Sequence, residues 1–226
     1  MDKKLLNKWI RQITFIEDAY DDPTLKVHND SLLIKHDEAG HHHIGVAGSN
    51  GNWTDWVGSR GNFTITQDKI PDVGKTATRG FVNAALACFQ EIERKFNITT
   101  SVHISGHSRG GPIASILACL IHSRLGIQDI ELTTFGSPKF TTDKSFNDFE
   151  FMKTSSRVVS IGDAVTDMPG HVRGFLRKEP MVHLGKEYRI GNEKHRHMLK
   201  LMDNYDAHMI SMYKSICYDL ERSASE

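Results

Sequence analysis

The stretch Ser101-Val102-His103-Ile104-Ser105-Gly106-His107-Ser108-Arg109-Gly110-Gly111-Pro112-Ile113-Ala114-Ser115-Ile116 decides how this chain is read. It has the pattern of a short β-strand, a sharp glycine-flanked turn with a serine at its tip, and a helix. This is G-x-S-x-G in the setting its chemistry requires. A serine at such an elbow takes a strained backbone conformation and lifts its Oγ clear of the sheet. Gly106 and Gly110 flank it because a Cβ at either position would collide with the neighbouring strand or helix. The helix that follows points free N–H groups at the same spot. An ordinary strand-turn-helix connection is the plain alternative. The strand before the motif and the helix after it argue against that.

Outward from this motif, strands and helices alternate. Residues 4–20 place Leu5, Leu6, Trp9, Ile13, Ile16 and Tyr20 at helical spacing. Two apolar runs, Leu25–His28 and Ser31–His36, flank Asn29-Asp30 as a hairpin would. His43–Ala47 is a third strand, and residues 50–75, rich in Gly, Asn, Asp and Thr, form mostly loop. From Thr76 to Phe96 one helix face carries Phe81, Ala85, Cys88, Phe89, Ile92 and Phe96. The strand Ser101–Ile104 and a helix from Arg109 to about Leu125 follow. Ile130–Phe135, Arg157–Ile161 and Met181–Ile190 read as strands, and Ala207 to Leu220 as the last helix. This order predicts an α/β fold, a mostly parallel central sheet with helices on both faces, in a single domain over residues 1–226.

Composition narrows the function. The chain has 226 residues, 38% of them hydrophobic, with 28 basic against 28 acidic side chains and so no net charge. Nothing here advertises nucleic acid or an anionic membrane surface. No stretch approaches the roughly 20 apolar residues of a membrane span. Residues 1–10 carry positive charge but no apolar core of signal-peptide length, so a cytoplasmic location is expected. Cys88, Cys119 and Cys217 are few, odd in number and without C-x-x-C spacing, which fits reduced thiols.

A serine hydroxyl is a poor nucleophile at neutral pH and needs a base, which in turn needs an orienting acid. In the chain order Ser, acid, His, the best acid after Ser108 is Asp163, just past the carboxyl end of a strand. A solvated turn aspartate is the bland reading of it, and Asp167 is the local competitor. For the base, spacing leaves His171, His183, His195, His197 and His208 open. His183 lies in a strand-like run, and His195 and His197 lie in a charged stretch. His208 stands just before the final helix, where a loop can lower its ring onto the serine.

At this point the chain resembles the class 3 lipase family of the α/β-hydrolase superfamily, over roughly residues 43–216. Val102 to Ala118 is similar to the elbow V-x-x-x-G-H-S-x-G-G-x-x-A-x-x-x-A, and Thr134-Phe135-Gly136-Ser137-Pro138 to T-F-G-x-P. Arg157 through Pro169 resembles R-x-V-x-x-x-D-x-V-x-x-x-P, and His183–Glu187 the H-x-G-x-E strand. His208 to Tyr213 resembles the late H-x-x-x-x-Y segment, and Arg79-Gly80-Phe81 the H-x-G-F segment, with Thr78 in its histidine position. The resemblance implies Asp163 as the triad acid and His208 as the base. It implies an oxyanion hole from the Arg109 backbone N–H and from Ser49, since Val46-Ala47-Gly48-Ser49 is similar to F-R-G-T or F-R-G-S. Ala47 departs from the family's arginine. Arg109 stands where relatives often carry leucine, and a charge beside the acyl pocket would disfavour long fatty acyl groups.

Asn50 to Val57 lies where fungal members carry a mobile lid. Trp53 and Trp56 are candidates for a lid or acyl groove, with Trp56 also readable as core packing. His41-His42-His43 could suggest a metal, but adjacent strand residues point to opposite faces and do not converge on one ion. The expectation is therefore a serine carboxylic-ester hydrolase, a lipase or esterase, with a Ser108–His208–Asp163 triad, no cofactor, no metal, and a small-molecule or lipid ester as substrate. A phospholipase or acyltransferase with the same triad is one rival. A catalytically silent binding module on the same fold is another.

Overall fold

A computed structural model of the protein describes residues 1–49, 66–168, 180–191 and 208–224. Helix α1 (Lys3–Asp21) is capped by Asp2, whose carboxylate accepts from the Lys4 N–H at 3.0 Å. Its three-and-four spacing buries Leu6, Trp9, Ile10, Ile13 and Ile16 on one face. Strands β1 (Leu25–Val27) and β2 (Asp30–His36) form the expected hairpin, with His28 at φ 53° in the turn. Then follow β3 (His42–Val46), β4 (Gln67–Lys69), β5 (Thr76–Thr78), α2 (Arg79–Lys95) and β6 (Val102–His107). The rest of the order is α3 (Gly110–Leu125), β7 (Ile130–Phe135), α4 (Glu150–Thr154), β8 (Ser156–Ser160), β9 (Lys186–Ile190) and α5 (Ile210–Ser223).

The seven-stranded sheet runs β1-β2-β3-β6-β7-β8-β9, antiparallel up to β3 and parallel from β3 onward. Side chains alternate between its two faces. Phe135, Val158 and Ile190 join α1 and α5 in one cluster with Leu6, Trp9, Ile13, Tyr213 and Ile216. Ile104 and Leu132 face the other way, into the cluster built by α2 and α3. Helix α3 is buried all round from Gly110 to Ile121, as a helix apolar on every side must be. Gly126, at φ 73°, ends it. No helix among the described residues is long and apolar enough to cross a membrane. Cys88, Cys119 and Cys217 are free and buried.

Several elements differ from the sequence reading: the strand expected over Ser101–Ile104 runs on to His107, the last helix spans Ile210–Ser223 rather than Ala207–Leu220, and two more shift for reasons visible in the structure. The helix expected from Thr76 starts at Arg79, because Thr76–Thr78 pairs with Gln67–Lys69 as a small separate hairpin. The strand expected over Met181–Ile190 shortens to Lys186–Ile190. Gly185, at φ 79°, turns the chain there, and Val182 makes only an isolated bridge to Thr141.

Trp9 is fully buried between α1, α5 and the sheet, its ring edge-on to Tyr188 at 5.1 Å. Trp9→Ala is expected to cost about 3–5 kcal/mol. A drop in the urea midpoint of that order, with the transition still cooperative, is the check.

Candidate active site

Ser108 sits at φ 54°, the left-handed region that a residue with a side chain occupies only when its surroundings force it. Its N–H donates to the Phe135 carbonyl and its own carbonyl accepts from the Gly111 N–H, both at 2.9 Å. The flanking glycines leave room for this turn. A Cβ on Gly106 would overlap the Gly110 carbonyl and lie 2.9 Å from Ala114 Cβ. One on Gly110 would meet the carbonyls of Val46 and Ala47 at the end of β3. Ser108 is only 3% exposed, less open than a free elbow would be. The chain at Gly48 packs directly on it, so that a Cβ there would lie 2.8 Å from Ser108 Cβ.

Asp163 follows β8 and caps the next 3-10 turn, accepting from the Val165 N–H at 2.9 Å. Two further donors converge on its carboxylate. His208 Nδ1 lies 2.9 Å from Oδ2 and 3.0 Å from Oδ1, and the Tyr213 hydroxyl donates to Oδ2 at 2.6 Å. The Tyr213 oxygen in turn accepts from the Ser160 N–H at 3.0 Å. Burial and the adjacent carboxylate push the Tyr213 pKa well above its ordinary value, so it stays a donor. Gly136, after β7, leaves space for the pair, since a Cβ there would come within 3.1 Å of both the Asp163 carboxylate and the His208 ring. The His208 ring stacks on His107 with centroids 4.9 Å apart, which sets it beside the residue preceding Ser108.

The structure thus brings Asp163 and His208 together and sets the His208 ring against His107, the residue preceding Ser108. Asp167 is exposed at the end of the 3-10 turn, away from this pair. His183 sits half-buried beside Arg157, and burial, helped by Arg157 and Lys139, lowers its pKa to about 3. His171, His195, His197, Trp53, Trp56 and Pro169 lie outside the described residues. The histidines of the triple run part ways: His41 meets Ser101, the His42 ring packs on His36, and His43 reaches Asp37 at 2.9 Å. Among the described residues no group of three or more His, Cys, Asp or Glu is placed to hold a metal ion.

Ser49 is half-buried, one residue past the Gly48 contact with Ser108. Arg109 is the N-cap of helix α3, so its backbone lies at the helix N-terminus, which faces the elbow. Its side chain departs from the sequence expectation. The guanidinium does not lend a free charge to the site but is buried against Asp30, with Nη1 on Oδ1 and Nη2 donating to Oδ2 at 3.3 Å. A buried guanidinium requires such a partner.

Sequence reasoning gave no role to four supporting residues: Tyr20, Asp30, His107 and Tyr213. Two of them had a signal, His107 as the histidine of the G-H-S-x-G elbow and Tyr213 as the tyrosine of the H-x-x-x-x-Y segment. Tyr20, in the last turn of α1, accepts from the Gly48 N–H at 2.7 Å. Its hydroxyl proton is then directed at His107 Nδ1, also 2.7 Å away. The other ring nitrogen of His107 donates to the His208 carbonyl at 2.7 Å. The ring is thereby fixed as the neutral Nε2–H tautomer. Full burial, then the proximity of His208, hold its pKa well below 6.5.

This has a consequence for stability. Unfolded, His107 titrates near 6.5; folded, it binds a proton only at much lower pH. Below 6.5 the unfolded chain binds more protons, so stability is lost as pH falls, and His183 adds to the loss down to about 3. The urea midpoint is expected to fall between about pH 7 and pH 4.5. His107→Gln, which removes the titrating ring, should flatten that slope relative to its own value at pH 8, and an unchanged slope would contradict the assignment.

A family model described as lipase (class 3) matches residues 44–173, more than half of the chain. The match takes in Ser49, Ser108, Arg109 and Asp163 and ends before His208. No curated protein matches the sequence. Among solved structures, the triacylglyceride lipase of Rhizomucor miehei is similar, with 16% identity and a TM-score of 0.62 over 86% of this chain and 83% of that one. Lipase II from Rhizopus niveus has 14% identity and a TM-score of 0.59, over 84% of this chain and 82% of its own. The nonglycosylated LIP2 lipase of Yarrowia lipolytica has 14% identity and a TM-score of 0.57, over 84% and 81%. These likenesses carry the fold, α/β-hydrolase, and the family match carries the kinship: the chain belongs to the class 3 lipase family.

Proposed function

We propose that the protein hydrolyses carboxylic esters through an acyl-enzyme, with Ser108 as nucleophile, His208 as base and Asp163 as the acid that orients it. One observation carries this reading. A buried Asp163–His208 pair lies beside a serine held at positive φ where β6 meets α3. Ser108 Oγ attacks the ester carbonyl carbon as His208 takes its proton. The tetrahedral oxyanion is met by the Arg109 N–H and by Ser49. Collapse breaks the bond to the alcohol oxygen, and the alcohol leaves with the proton from His208. Water then repeats the sequence on the acyl-enzyme, losing its proton to His208, and releases the acid and the Ser108 hydroxyl. Asp163, held by Tyr213 and Val165, keeps Nδ1–H pointed at itself and stabilises the imidazolium in both halves.

For substrate, this reading favours short or medium acyl esters in solution. Among the described residues the exposed large hydrophobic side chains are Met1, Met209 and Tyr218, too few for a broad interfacial face. Between Ser49 and Phe63 the sequence is polar apart from Trp53, Trp56 and Val57. The pairing of Arg109 with Asp30 removes its charge as an argument against long chains, so the case rests on the surface. A fungal lipase of similar fold is described as a model for interfacial activation, and the same assay separates that behaviour.

Ser108→Ala and His208→Ala are each expected to lower kcat by at least about three orders of magnitude on a nitrophenyl ester. Tyr213→Phe should lower it by about tenfold, the scale of one hydrogen bond to a charged group. His183→Ala should leave it nearly unchanged. Residual turnover of Ser108→Ala within tenfold of wild type would overturn the assignment. With a long-chain ester titrated across its solubility limit, the rate is expected to rise smoothly, and a sharp jump at the interface would refute the substrate class.

A further inference from the structure

The proposed hydrolysis requires two oxyanion donors from segments far apart in the chain, Ser49 after β3 and the Arg109 N–H at the start of α3. The Arg109 side chain reaches β2, the strand paired with β3 from which Ser49 leaves. Arg109 is 8% exposed and Asp30 is 3% exposed, and they meet at two points, Nη1 on Oδ1 and Nη2 on Oδ2. Asp30 opens β2, where it is paired with Val27. Its neighbour Ser31 accepts from the Ala47 N–H at 3.0 Å, and Leu32 stands opposite Val46. The end of β3 is thus gripped from one side by the start of β2. From the other side it is touched by Gly110, whose added Cβ would meet the Val46 and Ala47 carbonyls. Gly48 and Ser49 leave the sheet directly from this grip.

We infer that Arg109 and Asp30 are positioning residues that fix the spacing between the two halves of the oxyanion hole. This rests on the function proposed above and deepens it. Stability is a poor reason for the pair. Desolvating two charges offsets most of their attraction, and apolar replacements of both partners are often as stable. Arg109 Nε is moreover buried with no hydrogen-bond partner among the described residues, a further cost. Asp30 Oδ1 is likewise without a hydrogen-bond partner among the described residues and meets Nη1 only as an ion pair, so direction comes from the one bond, Nη2 to Oδ2, and from the planarity of the guanidinium. A hole too wide by a fraction of an ångström loses transition-state binding while leaving ground-state binding intact.

The test uses Asp30→Asn, Arg109→Lys, Arg109→Leu and the double variant Asp30→Leu/Arg109→Leu in the full chain. Each is assayed for kcat and KM on a soluble short-chain nitrophenyl ester, for its urea midpoint, and for amide hydrogen exchange at Ala47 and Gly48. Each single variant is expected to lose about tenfold or more in kcat with KM within about threefold, Arg109→Lys least. The double variant removes both charges, so it should stay folded while keeping the kcat loss and exchanging Ala47 and Gly48 faster. A folded double variant with wild-type kcat and wild-type exchange would reduce the pair to structural filling and overturn the inference. A wild-type protein that turns over no ester would instead sink the functional reading. In that case the exchange at Ala47 and Gly48 still decides whether the pair holds the loop.

Discussion

Three backbones meet at the elbow with no side chain between them. Gly106 lies against the first turn of α3, and Gly110 lies against the last carbonyls of β3. A methyl group at either place would force strand and helix apart. With them together, the chain has no regular conformation with which to pass from β6 into α3, and Ser108 takes φ 54°. The strain is sustained because the cluster around α3 over-determines the path: twelve consecutive residues of that helix are buried. The helix N-terminus, the serine and the Gly48–Ser49 loop then come to one place as a consequence of packing.

The polar groups above this junction come from segments far apart in sequence. Tyr20 belongs to the last turn of α1, His107 to β6, Asp163 to the end of β8, and His208 and Tyr213 to the last part of the described chain. The terminal helices α1 and α5 pack on each other and on one face of the sheet, and Lys214 reaches Glu17 at 2.5 Å. Both ends of the chain thereby hold the His208 end of the site. Each buried donor in the network has a defined acceptor: Gly48 N–H to Tyr20, Tyr20 to His107, His107 to the His208 carbonyl, Tyr213 to Asp163. In a low-dielectric surrounding such a chain admits few alternative proton arrangements, which is why the tautomer of His107 can be read from its neighbours.

What the sequence disclosed and what it withheld divide along the range of the interactions. The elbow was legible because its requirements are local: two glycines, one serine, an apolar strand before and an apolar helix after. The parallel sheet followed from alternation. Asp163 could be preferred because the end of a strand is a local feature. The choice of His208 over its rivals needed the family resemblance, since several histidines shared the same spacing. Gly185 keeps residues 181–184 out of the strand that begins at Lys186, and only its φ of 79° shows why. The extra hairpin of β4 and β5 was hidden inside a polar tract that lacks strand periodicity. Arg109 was misread for the clearest reason. Its charge is visible in the sequence, but its neutralising partner lies at Asp30, across the sheet edge, and no local pattern announces that pairing.

The two kinds of contact in this fold perform different tasks. The apolar clusters on either face supply most of the free energy and little direction, because burial of area is indifferent to angle. The polar ties at the carboxyl edge contribute modestly to net stability, since each replaces contacts with water. They are directional, however, and each joins two segments that the apolar layers alone would leave free to slide: Asp30 with Arg109, Tyr20 with Gly48, Tyr213 with Asp163. Arg157 with Glu187, where β8 meets β9, extends the pattern below the edge. Under the proposed hydrolysis, small errors in the core beneath Ser108 are tolerated, but errors in the positions of His208 and the two oxyanion donors are not. The placement of buried polar groups at this edge, where they are costly, is what that tolerance demands.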